Sequence, residues 1–172
     1  MMFDVKVPMR DGVELSTDIY LPEIDSPLPT ILIRTPYDNN NESVVQDCMY
    51  FATRGYAVAA QDVRGRWDSP GDWYPFKYEA EDGYDTQEWL GAQEWCDGNV
   101  GTAGGSYVAM VQWQSAPLRS KYLKAMIPKV GYSNFYHNWA YTGGAFQLAF
   151  NYRWAAIQMH TRTNQVHYLW FP

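Results

Sequence analysis

The stretch Gly101-Thr102-Ala103-Gly104-Gly105-Ser106-Tyr107-Val108 places one hydroxyl between a short apolar run and a segment of helical pattern. A serine at such a turn has three chemical uses: a nucleophile, a helix cap, or part of an anion-cradling loop. The anion reading asks for backbone N–H groups at a helix start with a Walker-type or G-x-G-x-x-G spacing. Here the glycines fall at Gly98, Gly101, Gly104 and Gly105 with no lysine following, so that spacing fails. A cap is a common task for serine, but a cap does not require two glycines on its amino side. A nucleophile does, because strand and helix backbones must approach closely to leave the hydroxyl exposed at the sheet edge. Gly104-Gly105-Ser106-Tyr107 supplies the first half of G-x-S-x-G, and Val108 departs from the second glycine.

The surrounding pattern predicts the elements that would hold this turn. Asp4 to Val7 and Glu14 to Leu21, joined through Arg10-Asp11-Gly12, read as an antiparallel hairpin. Thr30 to Arg34 and Tyr56 to Ala60 read as strands buried on both faces. Between them, Glu42 to Arg54 carries a helical apolar face closed by Gly55. Further helices are expected over Asp82 to Ala92, with Trp89 and Leu90 inward, and over Tyr107 to Ala116, stopped before Pro117. Strands are expected over Gly98 to Ala103 and Lys124 to Val130. Alternation of strand and helix from Thr30 to Val130 predicts an α/β fold with a mostly parallel sheet and the antiparallel hairpin at its front. Beyond Gly131 the chain turns aromatic, contains Gly143-Gly144, and shows helix-like periodicity from Ala145 to Met159, which reads as a helical insertion. The expected division is 1–130 and 131–172.

With 172 residues, 47% of them hydrophobic, the chain fits one domain with a sizeable core. A net charge of −6 and 13 scattered Lys and Arg residues argue against nucleic acid as a partner. The two cysteines, Cys48 and Cys96, read as buried free thiols of a reducing compartment. The first residues hold no apolar run long enough for a signal peptide or membrane span, so the expectation is a cytoplasmic chain without a membrane partner. Oligomeric state is left open. Asp38 to Glu42 lacks calcium-loop spacing and reads as a cap to the next helix. Asp62 and Arg64 read as an ion pair at a strand end, and Glu79 to Asp85 as an acidic helix start suited to the dipole.

Taken in order, Val7-Pro8-Met9-Arg10-Asp11-Gly12, Arg34-Thr35-Pro36-Tyr37, Gln61-Asp62-Val63-Arg64-Gly65-Arg66, Trp95-Cys96-Asp97-Gly98-Asn99-Val100-Gly101 and Gly104-Gly105-Ser106-Tyr107 resemble the amino-terminal part of the cocaine-esterase-like and X-prolyl dipeptidyl-peptidase-like serine hydrolases. That family includes α-amino-acid ester hydrolases and glutaryl acylases. The resemblance implies an α/β-hydrolase fold with a helical cap inserted after the strand ending near Val130. It implies Ser106 as nucleophile, with an oxyanion hole from the Tyr107 backbone N–H and the Tyr37 hydroxyl. By residue type alone, a tyrosine after Thr-Pro packs. Where the family has glycine three residues after the serine, this chain has Ala109.

A serine nucleophile needs a base and an orienting acid, which in α/β-hydrolases follow it in the chain as Asp, then His. The three histidines, His137, His160 and His167, lie in the aromatic insertion and read as cap residues. The expectation is therefore a front portion of a larger hydrolase, inactive alone, with the carboxyl-terminal strands outside it. Trp139, Tyr136, Tyr141 and Phe146 are candidates to line an acyl pocket for a small-molecule ester or acyl amide, with core packing an equal alternative for each. Asn138 stands where an α-amino-acid ester hydrolase is expected to have an acidic residue, which favours a substrate without an α-amino group. No cofactor or metal is implied. The competing reading is a non-catalytic hydrolase-fold protein that binds a partner through its aromatic face.

Overall fold

The computed structural model describes residues 1–159. Six strands form one sheet in the order β1-β2-β4-β3-β5-β6. The hairpin comprises β1 (Met2–Pro8) and β2 (Glu14–Tyr20), and β2 runs antiparallel to β4 (Ala57–Asp62). The other neighbours, β4 with β3 (Leu28–Thr35), β3 with β5 (Cys96–Gly105) and β5 with β6 (Leu123–Lys129), are parallel. The α/β architecture expected from the sequence, hairpin included, is the one observed.

Period-two alternation builds both faces of the core. From β3 and β4, Ile31, Ile33, Val58 and Ala60 join Cys48 and Ala52 of α1 (Glu42–Ala52). Their neighbours Leu32 and Ala59 point the other way, to Leu90 of α2 (Glu79–Gly91). Helix α1 starts at Asn41, whose side chain accepts the Val44 N–H, so the Asp38–Glu42 segment is a cap as read. Both cysteines are buried free thiols. Helix α3 (Tyr107–Ser115) follows β5 directly and runs on into a 3-10 turn over Ala116–Leu118.

After β6 the chain forms one π-helical turn (Tyr136–Ala140), a two-residue ribbon of β7 (Tyr141–Thr142) with β8 (Ala145–Phe146), and α4 (Leu148–Met159). The ribbon corrects the expectation of helix from Ala145. Gly143 and Gly144 both take positive φ, 58° and 83°, the requirement of the two-residue turn that matches strand twist.

The ion pair expected between Asp62 and Arg64 is not formed. Arg64 instead bridges Asp82 and Asp11, each at 2.6 Å. The Asp62 carboxylate turns inward and accepts the Asn39 N–H at 2.9 Å and the Asp68 N–H at 3.4 Å. Two backbone donors at a strand end compete well with a side chain that has two better-placed carboxylates. Burial nonetheless pushes Asp62 up to about 7, with Asp38 and Asp68 adding to the rise. The unfolded carboxyl titrates near 3.9, so between about pH 4 and 7 the unfolded chain holds fewer protons and stability falls as pH rises. Melting temperature measured from pH 4.5 to 8 should therefore decline less steeply in Asp62→Asn than in the wild type. Parallel curves would contradict the assignment.

Candidate active site

Ser106 occupies the corner between β5 and α3 with φ 60° and ψ −124°. This is a costly conformation for a residue with a Cβ, on the order of 1–3 kcal/mol. Its backbone is held from both sides: the N–H donates to Lys129 O on β6 at 3.0 Å, and the carbonyl accepts from Ala109 and Met110 of α3. The side chain is exposed and makes no capping bond, although it stands at the N-cap position. The cap reading thus fails on geometry, and the hydroxyl is left free at the sheet's carboxyl edge.

Small residues make the corner possible. A Cβ at Gly104, where φ is +142°, would overlap the side chain of Val108. Ala109 is fully buried and faces Gly131, where an added Cβ would collide with the alanine methyl. The Ala109 methyl is thus accommodated by a glycine on the connection that leaves β6.

Tyr107 is the first residue of α3, so its N–H belongs to the helix end that has no intrahelical acceptor. Its ring is buried, stacks on Phe76 at 4.1 Å and Trp154 at 6.2 Å, and meets the edge of Tyr37 at 6.3 Å. Tyr37 is half-buried, on the Pro-stiffened turn that leaves β3. Pro36 O at this turn accepts from Arg66 Nε at 2.8 Å and Trp67 Nε1 at 3.0 Å. Arg66 is itself fully buried, and burial lowers it to about 10.

The structure divides the four aromatic candidates. Trp139 joins a cluster with Phe76, Phe135, Phe150 and Trp154, at centroid distances of 5.1 to 6.0 Å, beside the Tyr107 ring. Tyr136, Tyr141 and Phe146 form a separate ladder along the ribbon, with Tyr136 on Tyr141 at 4.5 Å and Phe146 on Tyr141 at 5.3 Å. His137 is exposed in the π-helical turn, while His160 and His167 lie outside the described residues. Among the described residues no three His, Cys, Asp or Glu side chains are grouped to hold a metal ion, and no helix is long and apolar enough to cross a membrane.

Four residues near the corner escaped sequence reasoning: Phe76 and Trp154, which pack with the Tyr107 ring and with each other in one three-ring group, and the buried pair Arg34–Glu79. Glu79 carried a readable signal only as an acidic helix start; its ion pair reaches 45 residues back along the chain.

Residues 11–167 match the model of the X-Pro dipeptidyl-peptidase (S15 family). The chain belongs to this family. The cocaine esterase of Rhodococcus sp. (strain MB1 Bresler) is 39% identical over 159 residues, covering 90% of this chain and 28% of that protein. A CocE/NonD family hydrolase from Staphylococcus aureus superimposes with a TM-score of 0.84 at 32% identity, covering 91% of this chain and 32% of that one. An α-amino acid ester hydrolase superimposes with a TM-score of 0.70 at 32% identity, covering 86% and 28%. The S15 chain therefore spans about a third or less of the length of these relatives, and its fold is that of hydrolases.

Proposed function

We propose that this S15 chain carries the nucleophile and oxyanion hole of a serine hydrolase that cleaves carboxylic esters or acyl amides through an acyl-enzyme on Ser106. The observation that carries the reading is the strained corner: an exposed, uncapped serine hydroxyl at φ 60°, ahead of a helix start. Such strain persists where the hydroxyl must stand clear of the sheet for attack. In the reaction, Ser106 Oγ attacks the acyl carbon while the Tyr107 N–H and the Tyr37 hydroxyl donate to the oxygen that becomes negative. In α/β-hydrolases the orienting acid and the base follow the nucleophile on later strands, and this chain spans a third or less of its relatives' length, so residues 1–172 alone are expected to lack triad-dependent turnover. Trp139 contributes to the acyl side of the site, being the candidate that packs with the elbow's aromatic neighbours. Tyr136, Tyr141 and Phe146 stack in their own ring ladder and are the more distant candidates for this pocket. We place the substrate as a small molecule and the chain as cytoplasmic, with residues 131–172 beginning the cap on the hydrolase domain of 1–130.

Asn138 beside Trp139 offers no negative charge to an ammonium group, which supports an acyl group without an α-amine. The test is the rate of the whole protein on a phenylglycine ester and on its deaminated analogue. The expected result is comparable turnover, or preference for the deaminated ester, with both activities lost in Ser106→Ala. A strong preference for the amine reverses the substrate assignment in favour of an α-amino-acid ester hydrolase or X-prolyl peptidase. Turnover that survives the substitution removes the nucleophile.

A further inference from the structure

We infer that the buried pair Arg34–Glu79 is a positioning device that fixes the two oxyanion donors relative to each other through the Tyr107 phenol. This inference rests on the proposed roles of Ser106, Tyr37 and Tyr107. Three elements meet at one carboxyl group. Glu79 is the first residue of α2, Arg34 lies near the end of β3, and Tyr107 is the first residue of α3. The Tyr107 hydroxyl donates to Glu79 Oε1 at 2.7 Å and accepts the Phe76 N–H at 3.1 Å. Arg34 Nη2 forms an ion pair with Glu79 Oε2 at 2.9 Å, Nη1 donates to the Glu79 carbonyl at 3.1 Å, and Nε donates to Gln61 Oε1 at 2.8 Å. All three side chains are at least 95% buried.

The connectivity is what turns packing into positioning. Arg34 stands three residues before Tyr37 on the strand end that delivers the phenolic donor, and Tyr107 supplies the backbone donor from the same residue whose ring the Tyr37 edge touches. Anchoring the far end of the Tyr107 side chain to Glu79 sets the azimuth of the first turn of α3, and with it the direction of the N–H. Anchoring Glu79 to Arg34 ties that turn to β3. Burial pushes Glu79 above the ordinary carboxylate range, while Arg34 and the Tyr107 hydroxyl pull it back. A simple hydrophobic contact would have packed the same space without the Tyr107 hydroxyl–Glu79 and Arg34 Nη1–Glu79 carbonyl hydrogen bonds that tie α3 and α2 to β3.

Because an oxyanion donor acts on the transition state more than on bound substrate, loosening it should appear in kcat rather than KM. Tyr107→Phe and Glu79→Gln in the whole protein should each lower kcat by about tenfold, less than outright loss of a donor, with KM within about twofold. Inhibition by phenylboronic acid, which builds a tetrahedral anion on the serine, should weaken by a similar factor. Rates are to be counted per site titrated with a fluorophosphonate, so that partly unfolded variants do not mimic the effect. The double variant should fall little further than Glu79→Gln alone, since both act through one contact. If either variant, counted per titrated site, keeps wild-type kcat and boronate inhibition, the positioning role is overturned while the titration still upholds Ser106. Failure of the wild type to titrate at Ser106 would instead overturn the parent reading.

Discussion

Ser106→Ala in the whole protein is expected to reduce ester hydrolysis by about ten-thousandfold or more while leaving the fold intact. The side chain is exposed and makes no capping bond, so no packing or hydrogen bond is lost with the hydroxyl. Ser106→Gly should be equally inactive yet more stable than Ser106→Ala by about 1 kcal/mol, because only glycine takes φ 60° and ψ −124° without strain. The pair of variants separates chemistry from conformation. Circular dichroism melts alongside turnover would check both. A glycine variant no more stable than the alanine variant would mean that the corner is not strained as described.

The second large effect concerns Gly104. With φ at +142° and Val108 one helical turn on, any Cβ here must overlap the valine side chain. Val108 is packed in the core cluster with Ala103, Ile31 and Ile33, so it has nowhere to retreat. Overpacking of a fixed core costs about 1–3 kcal/mol, and the left-handed backbone adds on the order of 1–3 kcal/mol more. Gly104→Ala should therefore lower stability by about 2–6 kcal/mol, a large share of a typical total of about 5–15 kcal/mol. The double variant Gly104→Ala/Val108→Ala should recover part of the loss by removing the colliding methyl groups. Denaturant melts of both proteins supply the check: a Gly104→Ala midpoint within error of wild type would show that the corner can rearrange.

The parts legible in the sequence were those whose cause is local. Helix α1 announced itself by its apolar spacing, the polar Asp38–Glu42 cap segment and the Gly55 stop, all close together in the chain, and the structure assigns the capping bond to Asn41. The buried strands β3 and β4 were legible because both faces are covered, leaving continuous apolar runs. Ser106 stood out because the geometry it needs requires small neighbours, and Gly104 and Gly105 are adjacent in the chain. The interactions that escaped are ones in which no local signal exists. Asp62 and Arg64 are two residues apart and of opposite charge, yet each found better partners through space, in backbone amides and in Asp11 and Asp82. Glu79 read only as part of an acidic helix start suited to the dipole because nothing near it in the chain reveals Arg34 or the Tyr107 phenol. The ribbon at Tyr141–Phe146 was overlooked because helical periodicity across the short segment outweighed the Gly143-Gly144 turn signal, which only the paired backbone makes decisive.

The central claim is that Ser106 Oγ is the nucleophile. The most direct measurement is to treat the whole protein with a fluorophosphonate probe and map the adduct by peptide mass spectrometry. The expected result is a single stoichiometric phosphonyl group on the peptide containing Ser106, absent from Ser106→Ala. A protein that hydrolyses esters yet carries the adduct on another residue, or none at Ser106, would contradict it.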